Sequence, residues 1–185
     1  MTNTFKRLLP LVGVLVLVWT GTAAAAERKD FAIANDIAAS VNRYSNFTIF
    51  DDVSVEVKDG VATLTGKVTM PFKRDDIEKR AKKVDGVTEV RNTIGVLPVS
   101  QSDDELRYLI ARSIYGNSNF WSYAIMPNPP IHIIVERGHV TLTGVVQSNV
   151  DRMLARSLAS NFLSFSVTNN LKTDQEVRAQ VEQRS

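Results

Sequence analysis

Between Asp30 and Tyr44 the apolar residues Ile33, Ile37, Val41 and Tyr44 recur at spacings of 3 and 4, the stripe of an amphipathic helix. From Val53 the period drops to 2. Val53–Lys58 alternates apolar and polar residues, turns at Asp59-Gly60 and returns as Val61–Val68. Asp-Gly between alternating runs predicts a two-residue hairpin, because both turn positions need positive φ. That turn sets Val57 opposite Ala62, Val55 opposite Leu64 and Val53 opposite Gly66, all on one face, with Ser54, Glu56, Thr63 and Thr65 on the other. Pro71–Val84 is helical again, with Ile77, Ala81 and Val84 inward and Gly86 as its stop, and Val87–Leu97 reads as a third strand. The order αββαβ predicts an α+β layer, a three-stranded mixed sheet packed on two helices.

The pattern then repeats. Ile131–Val146 matches Val53–Val68 at 7 of 16 positions with an offset of 78, centred on Leu64-Thr65-Gly66 and Leu142-Thr143-Gly144. Upstream, Ser40-Val41 and Asn46-Phe47 recur as Ser113-Ile114 and Asn119-Phe120 at an offset of 73. The difference is an insertion in the second copy at Tyr123–Pro130. A capping box, Ser102 to Glu105, opens a helix through Leu106, Ile110 and Ile114; the hairpin turns at Arg137-Gly138; Asn149 caps a helix carrying Val150, Leu154 and Leu158; Ser166–Leu171 closes the unit. Two tandem domains are expected, 30–97 and 103–172, joined by a linker at 98–102 and followed by a polar tail or frayed helix over 173–185. Ile134, Val61 and Val145 put apolar residues on the supposedly open sheet faces, so those faces are expected to be partly covered.

Residues 1–26 read as a secretory signal: Lys6 and Arg7, an apolar run Leu8–Trp19, then the small residues Gly21–Ala26 before cleavage near Ala26. The run spans about 18 Å at about 1.5 Å per residue, short of a bilayer core of about 30 Å. The chain has no cysteine, which excludes disulfides and a lipid-attachment cysteine alike. Without Lys6 and Arg7 the remaining chain holds 20 basic and 20 acidic residues, and neither domain carries the basic excess that nucleic acid demands. The expected location is the periplasm, with no nucleic-acid partner.

The signal, the tandem order, Asp59-Gly60-Val61 with Leu64-Thr65-Gly66, and Gly86-Val87 leading to Val90 and Asn92 together resemble the BON-domain family in its dual-domain exported form. Arg137-Gly138, Leu142-Thr143-Gly144 and Val167 with Asn169 carry the resemblance in the second copy. It covers nearly all of residues 30–172. The resemblance implies an αββαβ fold, an envelope location, no catalytic activity, and a role in binding phospholipid or protecting the envelope under stress, osmotic stress included.

Chemistry is sparse. Gly66 and Gly144 stand singly late in strands, where a bulge or close approach explains them better than a phosphate cradle; with Gly60, Gly86 and Gly138 they form the structural motif. His132 and His139, the only histidines, lie roughly 13 Å apart along the hairpin at about 3.3 Å per residue, too far to share a metal. Neither a metal nor another cofactor is expected. The pairs Asp51-Asp52, Asp75-Asp76 and Asp103-Asp104 read as caps rather than catalytic carboxylates, and Lys73, Arg74, Lys79, Arg80, Lys82 and Lys83 as the solvated face of a helix. The aromatic cluster is different. Phe120 matches Phe47 and so reads as core, whereas Trp121 and Tyr123 border the insertion unique to the second copy. Either Trp121 folds back over a small core, or the cluster meets a membrane interface or protein groove. The candidate lipid- or client-binding residues are Phe120, Trp121, Tyr123 and Met126, with Arg112 as the nearest headgroup contact. A weakly membrane-binding, non-enzymatic envelope protein is expected; the alternative is a periplasmic chaperone-like protein for unfolded or outer-membrane clients.

Overall fold

The computed structural model describes residues 21–182, with side chains from Lys29 onward; the apolar run and basic pair of the expected export signal lie outside the described residues. Helix α1 (Gly21–Asn42) leads into strands β1 (Asp52–Lys58) and β2 (Val61–Val68), helix α2 (Pro71–Ala81) and strands β3 (Glu89–Asn92) and β4 (Gly95–Val96). The second unit contains α3 (Gln101–Tyr115), a 3-10 turn Ser118–Phe120, the single helical turn α4 (Trp121–Ala124), β5 (Ile131–Glu136) and β6 (His139–Val146). It closes with α5 (Asn149–Ala159), β7 (Ser166–Asn169), β8 (Lys172–Thr173) and α6 (Asp174–Glu182). In each unit the hairpin is antiparallel, and the last strands run parallel to its second strand. The architecture is thus α+β with two tandem αββαβ units.

The hairpin register matches the turn chemistry: Val57 faces Ala62, Val55 faces Leu64 and Val53 faces Gly66. Asp59 and Arg137 both adopt φ 51°, and Gly60 and Gly138 follow at 78° and 76°, the two positive-φ positions that the two-residue hairpin turn requires. One core gathers Ile33, Ile37, Leu64, Val68, Ile77 and Ala81; the other gathers Ile110, Ile114, Phe120, Ile133, Leu142 and Ala155. The five motif glycines all have positive φ. Gly66 and Gly144 show the steric reason most plainly. A Cβ on Gly66 would stand 2.1 Å from the Asp52 carbonyl oxygen, and one on Gly144 1.8 Å from that of Pro130. The neighbouring strand, not a helix or a phosphate, demands the glycine.

Two acidic residues clamp the turns. Asp30 accepts from the backbone N–H groups of Asp59 (2.7 Å) and Gly60 (3.0 Å), and Asp103 accepts from those of Arg137 and Gly138, both at 2.8 Å. These bonds tie the first helix of each unit to its own hairpin. Asp103 therefore serves the turn rather than its own helix.

Other local expectations need correcting. The third strand is interrupted in both copies. Asn92 accepts from Ile94 N–H and donates to the Arg74 carbonyl, and Asn169 does the same with Leu171 and Arg152. That side-chain turn takes up the N–H of Ile94 and of Leu171, while Thr93 and Asn170 still donate to the Leu64 and Leu142 carbonyls of the second strands. Ser100, not the Ser102–Glu105 box, caps α3 by accepting from Asp103 N–H, and Ser148, not Asn149, caps α5 by accepting from Asp151 N–H. Val150 is exposed because it stands about 140° around α5 from the buried Ala155, at about 100° per residue. The polar tail is helical over Asp174–Glu182, held by Glu176, which accepts from Thr173 N–H and pairs with Arg152 at 2.9 Å.

The units meet along the outer edge of β5. Ile133 N–H donates to the Ile49 carbonyl (2.7 Å), His132 Nδ1 to the Asp51 carbonyl (2.6 Å), and Lys67 pairs with Glu136 at 3.2 Å. Phe50 packs edge-on to Tyr108, with ring centroids 5.2 Å apart. Ile134, on the outer face of the second sheet, is buried, whereas Val61 and Val145 are only partly covered.

Candidate functional site

The 3-10 turn and α4 split the aromatic cluster. Phe120 and Tyr123, three residues apart, point inward and are fully and almost fully buried, at 0 % and 3 % exposure. Trp121 and Ile125, four apart, point outward at 70 % and 67 %. Burial therefore removes Phe120 and Tyr123 from any binding surface and settles the Trp121 alternatives in favour of exposure. Tyr123 anchors the turn. Its hydroxyl donates to Asp151 (3.1 Å) and accepts from Gln147 N–H (2.8 Å), which binds α4 to the N-terminus of α5. Burial first, then Asp151, raises its pKa, while the Gln147 N–H pulls the other way. The same end of α5 exposes Val150 and Met153, at 72 % and 71 %. Trp121, Ile125, Val150 and Met153 thus sit on two elements joined by one hydrogen-bonded tyrosine.

Met126 lies apart from them, half-exposed in an interdomain groove with Asn42, Tyr44, Phe47 and Asn128. Asn128 donates there to the Asn42 carbonyl, so the inserted loop also clasps the first domain. Arg112 is exposed in the last turn of α3 and has no ion-pair partner among the described residues. A second apolar end lies across the domain, near the hairpin turn. Leu163 and Phe165 border a recess of about 500 Å³ with Leu106, Arg137 and Gly138. As exposed residues, Ile125, Val150, Met153, Leu163 and Phe165 all escape the sequence reading, which has Val150 only in the apolar stripe of its helix. The signals for the first three were Ile125 at i+4 from Trp121 and the i, i+3 pair on α5.

The corresponding corner of the first domain is built from charge. Asp51 is fully buried; its carboxylate accepts from the N–H and hydroxyl of Thr48, the N–H and hydroxyl of Thr69, and Lys73 Nζ at 2.7 Å. Burial opposes its ionisation, but the Lys73 ammonium and the threonine donors outweigh it and hold the pKa below the usual carboxylate range. Lys73 is therefore a buried ion-pair partner rather than part of a solvated face, and Arg80 stacks on Tyr44 at 4.6 Å. Tyr44 in turn donates to Asp76 at 2.8 Å. The histidines are separately engaged, His132 against Asp51 and the Phe47 ring, His139 with Ser166 and the Phe165 ring. Among the described residues no cluster of three His, Asp or Glu side chains could hold a metal, and no helix is long and apolar enough to cross a membrane.

The sequence matches the family model of the BON domain over residues 29–98 and again over 120–183. No curated protein matches. Among solved structures, the chain is similar to the C-terminal domain of CdsD, a structural protein of the type III secretion system of Chlamydia trachomatis, at 13 % identity and a TM-score of 0.31. That alignment covers 78 % of this chain and 66 % of the other. A second CdsD structure aligns at 10 % identity and a TM-score of 0.27, covering 83 % of this chain and 99 % of that one.

Proposed function

The chain belongs to the BON-domain family, and from that premise we propose a non-enzymatic envelope protein of the periplasm whose second domain rests weakly on phospholipid. The observation that carries this reading is the outward pair Trp121 and Ile125 on an anchored turn that the first domain lacks, tied through Tyr123 to the helix that exposes Val150 and Met153. An indole at the rim with aliphatic neighbours fits the boundary between headgroups and acyl chains. Full burial of each such side chain contributes about 1.5–3 kcal/mol before the costs of docking, enough for a reversible contact. With basic and acidic residues balanced once Lys6 and Arg7 are set aside, and with Arg112 and the exposed Arg156, three residues after Met153 on α5, as the cations to meet phosphate, attachment should depend only modestly on salt. Co-sedimentation with vesicles tests it: Trp121→Ser with Ile125→Ser should remove most bound protein without changing the circular dichroism. Unchanged binding in that variant would refute the proposal.

A chaperone-like reading draws on the opposite end of the domain, where Leu163 and Phe165 flank the apolar recess. Under it, Leu163→Ser with Phe165→Ser should abolish suppression of client aggregation and leave vesicle binding intact.

A further inference from the structure

The two hairpins leave their outer edges in opposite states. In a two-residue hairpin the residues flanking the turn form a hydrogen-bonded pair, so every second residue of the first strand aims its N–H and C=O outward. In β5 these are Ile131, Ile133 and Val135, and four of their six outward groups are engaged. Ile131 N–H and C=O meet the Tyr115 hydroxyl, Ile133 N–H meets Ile49, and the Val135 carbonyl accepts from Arg107. In β1 the equivalent residues are Val53, Val55 and Val57. Among the described residues no hydrogen bond reaches their outward groups. Their side chains are only half-buried, whereas Ile131, Ile133 and Val135 are fully buried.

We infer that β1 is an interaction edge whose partner is the β1 of a second copy of this chain, paired antiparallel about a dyad at Val55. An open edge must be covered, charged or paired, and the sequence Asp52-Val-Ser-Val-Glu-Val-Lys58 is complementary to itself in reverse. Centred on Val55, the outward groups of Val53, Val55 and Val57 all find partners. On the polar face Asp52 stands opposite Lys58 of the second copy, and Ser54 opposite Glu56. The neighbouring registers that keep the hydrogen bonding in phase are penalised. One sets Asp52 against Glu56, the other Glu56 against itself. On the apolar face Val53 meets Val57, and Val55 meets its own copy. The contact is isologous and closes on itself, so it yields a dimer and not a filament. Two seven-residue strands fall short of the roughly 1,200 Å² that stable dimers bury, so the association is weak and concentration-dependent.

Sedimentation equilibrium on the chain from residue 27 onward, over about 10 μM to about 1 mM, tests it. The expected result is a monomer–dimer equilibrium that Lys58→Asp weakens about tenfold, through two reversed charge pairs, and that Asp52→Lys with Lys58→Asp restores. Because the chain has no native cysteine, Val55→Cys supplies a single thiol that should oxidise to a cross-linked dimer, while Val57→Cys should not. Circular dichroism of each variant confirms folding. A monomer throughout this range, or a dimer indifferent to the charge reversal, would overturn the inference. Vesicle binding by Trp121 is read separately and does not depend on either result.

Discussion

The corner where hairpin meets second helix is built twice in this molecule, with opposite chemistry. In the first domain a buried carboxylate, Asp51, receives Thr69 N–H and the Lys73 ammonium. In the second the matching N–H, of Gln147, and the matching helix position, Asp151, meet a phenol, Tyr123. The duplicated backbone poses the same problem, an orphan N–H at the strand end beside a helix N-terminus, and either group solves it. The consequences differ. A carboxylate on a tight turn brings no exposed aromatic of its own, and the apolar surface at that corner is Met70 and Phe72, half-exposed at the start of α2. A tyrosine must be delivered by an extra helical turn, and a turn that buries Phe120 and Tyr123 necessarily displays Trp121 and Ile125. The exposure of Trp121 and Ile125 follows from how the second domain's corner is closed.

The contrast breaks first at Asp51. Asp51→Ala strands a buried ammonium and should cost about 3–5 kcal/mol in the first domain. Thermal unfolding followed by far-ultraviolet dichroism should show the loss, while Trp121 emission, which reports on the second domain, should respond less. Tyr123→Phe removes two hydrogen bonds and should cost about 1–2 kcal/mol in the second domain, moving the emission transition instead. Equal shifts of both signals by either variant would mean the domains unfold as one unit and would blunt the comparison.

Acid sharpens it. The lowered pKa of Asp51 means that its contribution is fully present above the usual aspartate pKa. It is lost as pH falls through that range towards the lowered value, because the unfolded chain takes up the proton first. Chemical denaturation between about pH 6 and about pH 3 should therefore show a loss of first-domain stability that is absent in Asp51→Asn with Lys73→Met. Smallest of all, Trp121→Ser should change stability by less than about 0.5 kcal/mol, since the indole is mostly exposed.

Much of this molecule was legible in its sequence. Asp-Gly and Arg-Gly turns fixed the hairpin registers, since a two-residue turn leaves no freedom to slip, and the doubled Leu-Thr-Gly exposed the duplication. The corners were hidden. Asp51 and Lys73 are 22 residues apart on a loop and a helix, and each alone resembles an ordinary cap or surface charge. The breaks at Asn92 and Asn169 were hidden too, because a side chain that takes over ladder bonds leaves the hydrophobic period intact. At the candidate site the cluster was found but not its sorting. Which of Phe120, Trp121 and Tyr123 face outward depends on the 3-10 turn that precedes α4, and the insertion gives no period from which to read it.

Trp121 is the only tryptophan in the chain from residue 27 onward, so its emission reports on the proposed contact alone. Titrated with vesicles of phosphatidylglycerol and phosphatidylethanolamine, it should shift to the blue and be quenched when the acyl chains carry bromine near the headgroup. An emission maximum that stays at its aqueous position, unquenched at saturating lipid, would contradict a membrane-resting role for the second domain.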